Sequence, residues 1–175
     1  VHITWTFFKQ TANGKFGSSP IYIASSKNGG QSWSGPTQIS DAAHPYNQGS
    51  NVAVDNNGTI WVSYIASTPE SDFFEDAVVL ARSTDGGTTY SAPLQLNAKD
   101  GDVWGFSVSK PRVVLGRNGT VHVFYPGNDV NPGNISVMMS GGELLALWEA
   151  GTPYRMDPVT LETKGLKEFR SDLKG

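Results

Sequence analysis

Acidic side chains offer the densest chemistry in this sequence. Glu70, Asp72, Glu75 and Asp76 crowd the run PESDFFED, and Asp100 and Asp102 follow in KDGDVWGF. Paired carboxylates can divide the acid and base roles of glycoside hydrolysis, or hold a hard cation such as Ca²⁺ through oxygen. Phe73, Phe74 and Trp104 stand beside them and can stack on sugar rings. The plainer expectation makes the acids solvated loop residues and the aromatics core or loop anchors. His2, His44 and His122 lie far apart and share no ligand spacing, and no Ser-His-Asp or glycine-rich phosphate motif stands out. Residue types and spacing thus name no catalytic, cofactor-binding or metal-ligating residue.

The elements that must position these side chains are legible from a repeat. NVAVDNNGTIWVSY (51–64) matches RVVLGRNGTVHVFY (112–125) at an offset of 61 residues. Each has alternating β-branched residues, then Asn-Gly-Thr, then alternation again, which reads as a hairpin because its tight turn needs positive φ. The opening VHITW repeats the second arm, so His2, Trp61 and His122 occupy one repeat position, a packing position more than a metal site. Of the three sequons, at Asn57, Asn118 and Asn134, the first two are Asn-Gly-Thr and read at least as well as hairpin turns, so glycosylation is not the expectation.

Third strands IYIASS (21–26) and AVVLARS (77–83) come next, followed by a second kind of turn and the proline-containing strands SGPTQIS and SAPLQLN. A four-stranded meander with two apolar faces cannot bury both alone, and stacking such sheets around an axis solves the problem. The expected fold is all-β, an incomplete β-propeller of about three four-stranded antiparallel blades.

The second turns carry Ser26, Asn28, Gly30 and Trp33, and again Ser83, Asp85, Gly87 and Tyr90. A short carboxylate or amide accepts turn N–H groups, glycine takes positive φ, and the aromatic ring is expected to plug the blade edge. The pattern Ser-x-Asp/Asn-x-Gly-x-x-Trp/Tyr resembles the Asp-box of sialidase-like, or BNR-repeat, propellers, over about residues 1–133. The resemblance implies that the boxes are structural and lie away from any active centre. It also implies glycan hydrolysis or binding, with an arginine cluster, a Tyr-Glu nucleophile and an Asp acid/base. Arg82 and Arg117 match no catalytic arginine motif, and with Arg112 they do not complete that set.

From about Asn134 the pattern changes to ISVMMSGGELLALWEAGTPYRMDPVTLETKGLKEF. The short run ELLALWEA, with Gly141-Gly142 before it and Gly151 after it, reads as a buried strand, and a second strand at 153–156 turns through Asp157-Pro158 into 161–163. Gly141, Gly142, Trp148, Glu149, Pro153, Tyr154, Asp157, Pro158, Thr160, Leu161, Glu162 and Thr163 resemble a segment of the carotenoid oxygenase family. These enzymes are propellers that hold non-haem Fe(II) with four His and cleave a polyene double bond with O₂. Glu149 matches a glutamate that orients a ligand His there, but no His follows His122. The expectation is a composite: residues 1–133 as sialidase-like blades and 134–175 as a carotenoid-oxygenase-like β segment, joined near Asn131–Asn134 naturally or artificially.

Charge is scattered, 13 basic against 16 acidic residues, and no basic run exists to engage nucleic acid. No cysteine is present, so disulfides, thiolate metal sites and cysteine nucleophiles are excluded. No apolar stretch is long enough for a transmembrane helix. The chain opens inside a strand and reads as a piece of something longer or a mature product. Two functions follow from the resemblances: a glycan-processing or glycan-binding propeller, inactive alone, or a truncated iron dioxygenase. A non-catalytic interaction module is the third. Unclosed blades leave edge strands, from which self-association is expected.

Overall fold

A computed structural model describes residues 1–68, 75–97, 103, 110–116, 119–125, 136–140, 143–147, 154–157, 159–160 and 163–167. Every named element is a β-strand, and all strand pairs are antiparallel. The contacts divide the chain into two compact units, Val1–Pro132 and Gly133–Gly175.

The first unit holds one complete meander: β6 (Asn47–Val54), β7 (Ile60–Ser67), β8 (Glu75–Ser83) and β9 (Leu94–Gln95), hydrogen-bonded in that order. The Asn57-Gly58 turn closes β6 on β7, with Gly58 at φ 82° and its N–H donating to the Asp55 carbonyl. Before it, β1 (His2–Thr6), β4 (Ile21–Ser25) and β5 (Thr37–Gln38) form a three-stranded sheet with β1 at its edge. A small hairpin, β2 (Lys9–Gln10) with β3 (Phe16–Ser18), is inserted between β1 and β4. After it, β10 (Arg112–Leu115) pairs with β11 (Val121–Phe124).

The repeat has a direct packing reason. Ile60, Val62 and Tyr64 alternate along β7 and are at most 1% exposed, packed against Ile21, Ile23 and Ile39 of the preceding sheet. On the opposite face Ile65 and Val78 pack with Val103, Val123 and Tyr125, next to the following hairpin. Alternation thus gives the middle sheet two apolar faces, each covered by a neighbour.

The second unit is a four-stranded sheet in simple order: β12 (Ser136–Ser140), β13 (Glu143–Leu147), β14 (Tyr154–Met156) and β15 (Thr163–Leu166). The Leu- and Ala-rich run at 143–147 is therefore a strand, with Leu144 and Leu145 buried. Among the described residues no helix is long and apolar enough to cross a membrane.

Candidate functional site

The chain's best-built polar structures are the turns that join third to fourth strands. Between β4 and β5, the Asn28 side-chain oxygen accepts from Ser26 Oγ at 3.0 Å and from the Ser32 N–H at 2.9 Å. Its amide nitrogen donates to Ser32 Oγ at 2.8 Å. Buried Ser26 Oγ accepts from the Gly30 N–H at 2.8 Å. Glycines at 29 and 30 take φ of 69° and 91°, which leads the chain around this corner.

The turn between β8 and β9 repeats this design with a carboxylate. Asp85 Oδ1 accepts from Ser83 Oγ at 2.7 Å and from the N–H groups of Thr88 and Thr89 at 3.0 Å. Its Oδ2 accepts from the Thr89 hydroxyl at 2.6 Å. These donors, led by the Thr89 hydroxyl, hold the carboxyl well below the usual carboxylate range. Donors that are all local to one turn describe a conformational clamp.

The two aromatic positions differ. Tyr90 packs on the core between sheets, and burial pushes its hydroxyl up to about 12. Trp33 does not plug an edge: it is 44% exposed and donates from Nε1 to its own turn, to the Gly30 carbonyl at 3.1 Å. Tyr90 sits where Ile60 of its own sheet and Ser25 of the neighbouring sheet both come beside Gly87. Trp33 remains partly in solvent over its own turn.

Between these turns lies a cleft of about 470 Å³, lined among others by Ser25, Lys27, Trp33, Thr37, Gly87 and Thr88. It presents hydroxyls, an ammonium and an indole, with no carboxylate in its lining. His2 Nδ1 lies 2.8 Å from Ser25 Oγ at its margin, and burial lowers the imidazole's pKa. Such a lining can hydrogen-bond a polar ligand but offers no acid–base carboxylate pair.

The acidic run is only partly a loop. Glu75 and Asp76 belong to β8, because that strand continues its pairing with β7 as far as Ser67, and Asp76 is 4% exposed. The expectation of a solvated residue fails at Asp76, whose carbonyl accepts from buried Asn97 at 3.0 Å. Glu70, Asp72, Phe73, Phe74, Asp100, Asp102, Trp104, Arg117, Asn118, Asn134, Trp148 and Glu149 lie outside the described residues. So do Gly141, Gly142, Pro153, Pro158, Leu161 and Glu162 of the C-terminal motif. Arg82 stands 5.8 Å above the Trp61 ring, and exposed Arg112 opens β10.

Asp55 is a further polar anchor, absent from the motifs above. Its carboxylate accepts from the N–H groups of Asn57 and Thr59 at 2.9 Å and from Trp61 Nε1 at 3.2 Å. These bonds, the Trp61 one foremost, lower its pKa. The available signal was Asp placed two residues before Asn-Gly, an Asx-turn signature. Asp157 plays a similar part between β14 and β15, capping Val159 and Thr160 and pairing with Lys164 Nζ at 2.6 Å.

The histidines stay dispersed in role. His2 meets Ser25, His44 pairs with Asp41 at 2.6 Å, and His122 lies against Gly116 on β11. Among the described residues no group of three or more His, Cys, Asp or Glu side chains is placed to hold a metal ion. The described residues therefore offer no ligand set that fits an Fe(II) centre.

Comparison with known proteins bears on both resemblances. The solved structure of Hadza microbial sialidase Hz136 superposes with a TM-score of 0.56 at 17% identity, over 87% of this chain and 41% of that one. That likeness establishes the fold, an incomplete β-propeller. Carotenoid cleavage dioxygenase 7, chloroplastic, of Oryza sativa subsp. japonica is 45% identical over 71 residues, 39% of this chain and 11% of the relative. Resveratrol cleavage oxygenase 1 of Aspergillus fumigatus is 55% identical over 40 residues, 23% of this chain and 8% of the relative. The chain thus spans about a tenth of the length of these curated relatives. The model of the RPE65 family, retinal pigment epithelial membrane protein, matches residues 72–175. The match begins well upstream of the motif at 141–163 and takes in the Asp85 turn. Since it covers more than half of the sequence, the chain belongs to the RPE65 family.

Proposed function

We propose that this chain is a scaffold portion of an oxygenase that cleaves a conjugated carbon–carbon double bond, and that it has no activity alone. The family match over residues 72–175 carries this reading, together with two relatives that are both named as cleavage oxygenases. On this reading the chain supplies stacked sheets, the iron-binding histidines come from elsewhere in the whole protein, and Glu149 orients one of them. The turns at 26–33 and 83–90 are Asp-box corners that brace the blades. Purified and loaded with Fe(II) without oxygen, the chain is expected to retain far less than one iron per molecule by metal analysis. The protein made from the uninterrupted natural reading frame is expected to bind one Fe(II) and split a carotenoid or stilbene in O₂. An iron-independent product, or no cleavage of either class, overturns the reading.

A second reading rests on the paired corners at Ser26–Trp33 and Ser83–Tyr90 in a fold shared with a sialidase. Here residues 1–133 are glycan-processing or glycan-binding blades, joined near Asn131–Asn134 to the oxygenase-like segment. Turnover of a fluorogenic sialoside that is lost in Arg112→Ala would favour it. Glycan-array binding without hydrolysis would favour a lectin role.

A further inference from the structure

Four asparagines in this chain precede glycine: Asn13, Asn28, Asn57 and Asn118. Such a pair carries its own modification chemistry, because a glycine nitrogen, with no Cβ beside it, can reach the preceding side-chain carbonyl. Asn118 lies outside the described residues, and the other three sit in turns of different build. Asn28 is tied at both ends of its amide. Its oxygen accepts from Ser26 Oγ and the Ser32 N–H, and its nitrogen donates to Ser32 Oγ. The Asn57 amide has no partner among the described residues, but its turn joins two eight-residue strands. The Asp55 carboxylate pins that turn through the N–H groups of Asn57 and Thr59. Ile60 and Val62 follow it into the core, so opening this hairpin uncovers buried apolar surface.

Asn13 has neither restraint. Its amide has no partner among the described residues, and residues 11–16 are all exposed. The turn joins β2 to β3, strands of two and three residues whose pairing is interrupted by a register shift. The Gly14 N–H donates to the Thr11 carbonyl at 2.9 Å, and two bonds from Thr11 to the Lys15 carbonyl close the loop. Bonds this exposed open at little cost, which frees the Gly14 nitrogen.

We propose that Asn13-Gly14 is a site of spontaneous deamidation, and that its isoaspartyl product is a substrate for an isoaspartyl carboxyl methyltransferase. The Gly14 nitrogen, deprotonated by hydroxide, bonds to Asn13 Cγ. The Cγ–Nδ2 bond breaks, and Nδ2 leaves as ammonia after taking a proton from water. A second water opens the resulting succinimide at either carbonyl, giving aspartate or isoaspartate without redox change. Isoaspartate adds a methylene to the main chain inside the turn. That displaces the arm carrying Phe16, whose ring stacks on Tyr46 at 5.4 Å.

Peptide mapping by mass spectrometry of the folded chain, aged at mildly alkaline pH, tests this. Asn13 should convert about tenfold faster than Asn57, and Asn28 should be slower still. The rate at Asn13 should fall with pH, because the attacking nitrogen must lose its proton. An isoaspartyl methyltransferase with labelled S-adenosylmethionine should mark the Asn13 peptide first. In denaturant the three pairs should convert at similar rates. Asn13→Gln should remove the early product and leave the rate at Asn57 unchanged. Earlier conversion at Asn57 or Asn28 in the folded chain overturns the proposal. So does a ranking that denaturant leaves unchanged, or an Asn13 that stays intact while the denatured chain converts.

Discussion

Three of the described acidic side chains are spent on holding turns. Asp85 takes its donors from one loop, Asp55 from one hairpin and Asp157 from one β-turn with Lys164. A carboxyl whose folded pKa is depressed stabilises the fold above its unfolded value and ceases to do so as pH falls through the folded one. For Asp85 the unfolded value is near 3.8, so its contribution is complete at neutral pH and is lost in the acid range below that. Asn28 sits in the same seat with an amide, so Asp85→Asn is a conservative test. The melting-temperature gap between the parent and Asp85→Asn should narrow steadily from pH 5 to pH 2. A gap independent of pH would mean that the carboxylate's charge adds nothing to the turn.

At the scale of elements, glycines at positive φ do two different jobs. Gly58 has φ 82° and open space where a Cβ would go, whereas Gly87, at φ 92°, would place one 3.3 Å from Ile60, Ser25 and Tyr90. Gly58→Ala should cost about 1–2 kcal/mol from left-handed strain alone. Gly87→Ala should add about 1–3 kcal/mol for crowding against Ile60, Ser25 and Tyr90. Denaturant titration of the two variants separates the terms, and equal losses would contradict the close approach at Gly87. The sequence carried these corners well, because Asn-Gly and Ser-x-Asp/Asn-x-Gly act within a few residues. It did not reveal that Asp76 is buried, since that depends on how far β8 extends along β7. Nor did it separate Trp33 from Tyr90, because both fit the motif and only the neighbouring sheet distinguishes them. Of a site the sequence offered little to read, because its three histidines are scattered and it has no cysteine.

For the whole molecule, protection should follow the stacking. The middle sheet is covered on both faces, while β1 lies at a sheet edge with one face open. The Val1/Ser26 and Phe7/Pro20 backbone bonds fix the alternation, so the Thr4 and Thr6 amides point to the open edge. Hydrogen exchange should be fast at Thr4 and Thr6 and slowest at Val62 and Tyr64. Uniform exchange along the unit would mean that it opens as one body and not from its uncovered end.

One pair of repeat positions shows how such a chain diverges. Where one hairpin has Asp55 bonded to Trp61, the next has Gly116 and His122, and a Cβ on Gly116 would meet His122 Nε2 at 2.8 Å. The smaller residue makes room for the imidazole, so the two sites are traded as a set. A consensus built column by column would draw Asp from one hairpin and His from the other and produce a collision. Grafting between repeats must transplant both partners together.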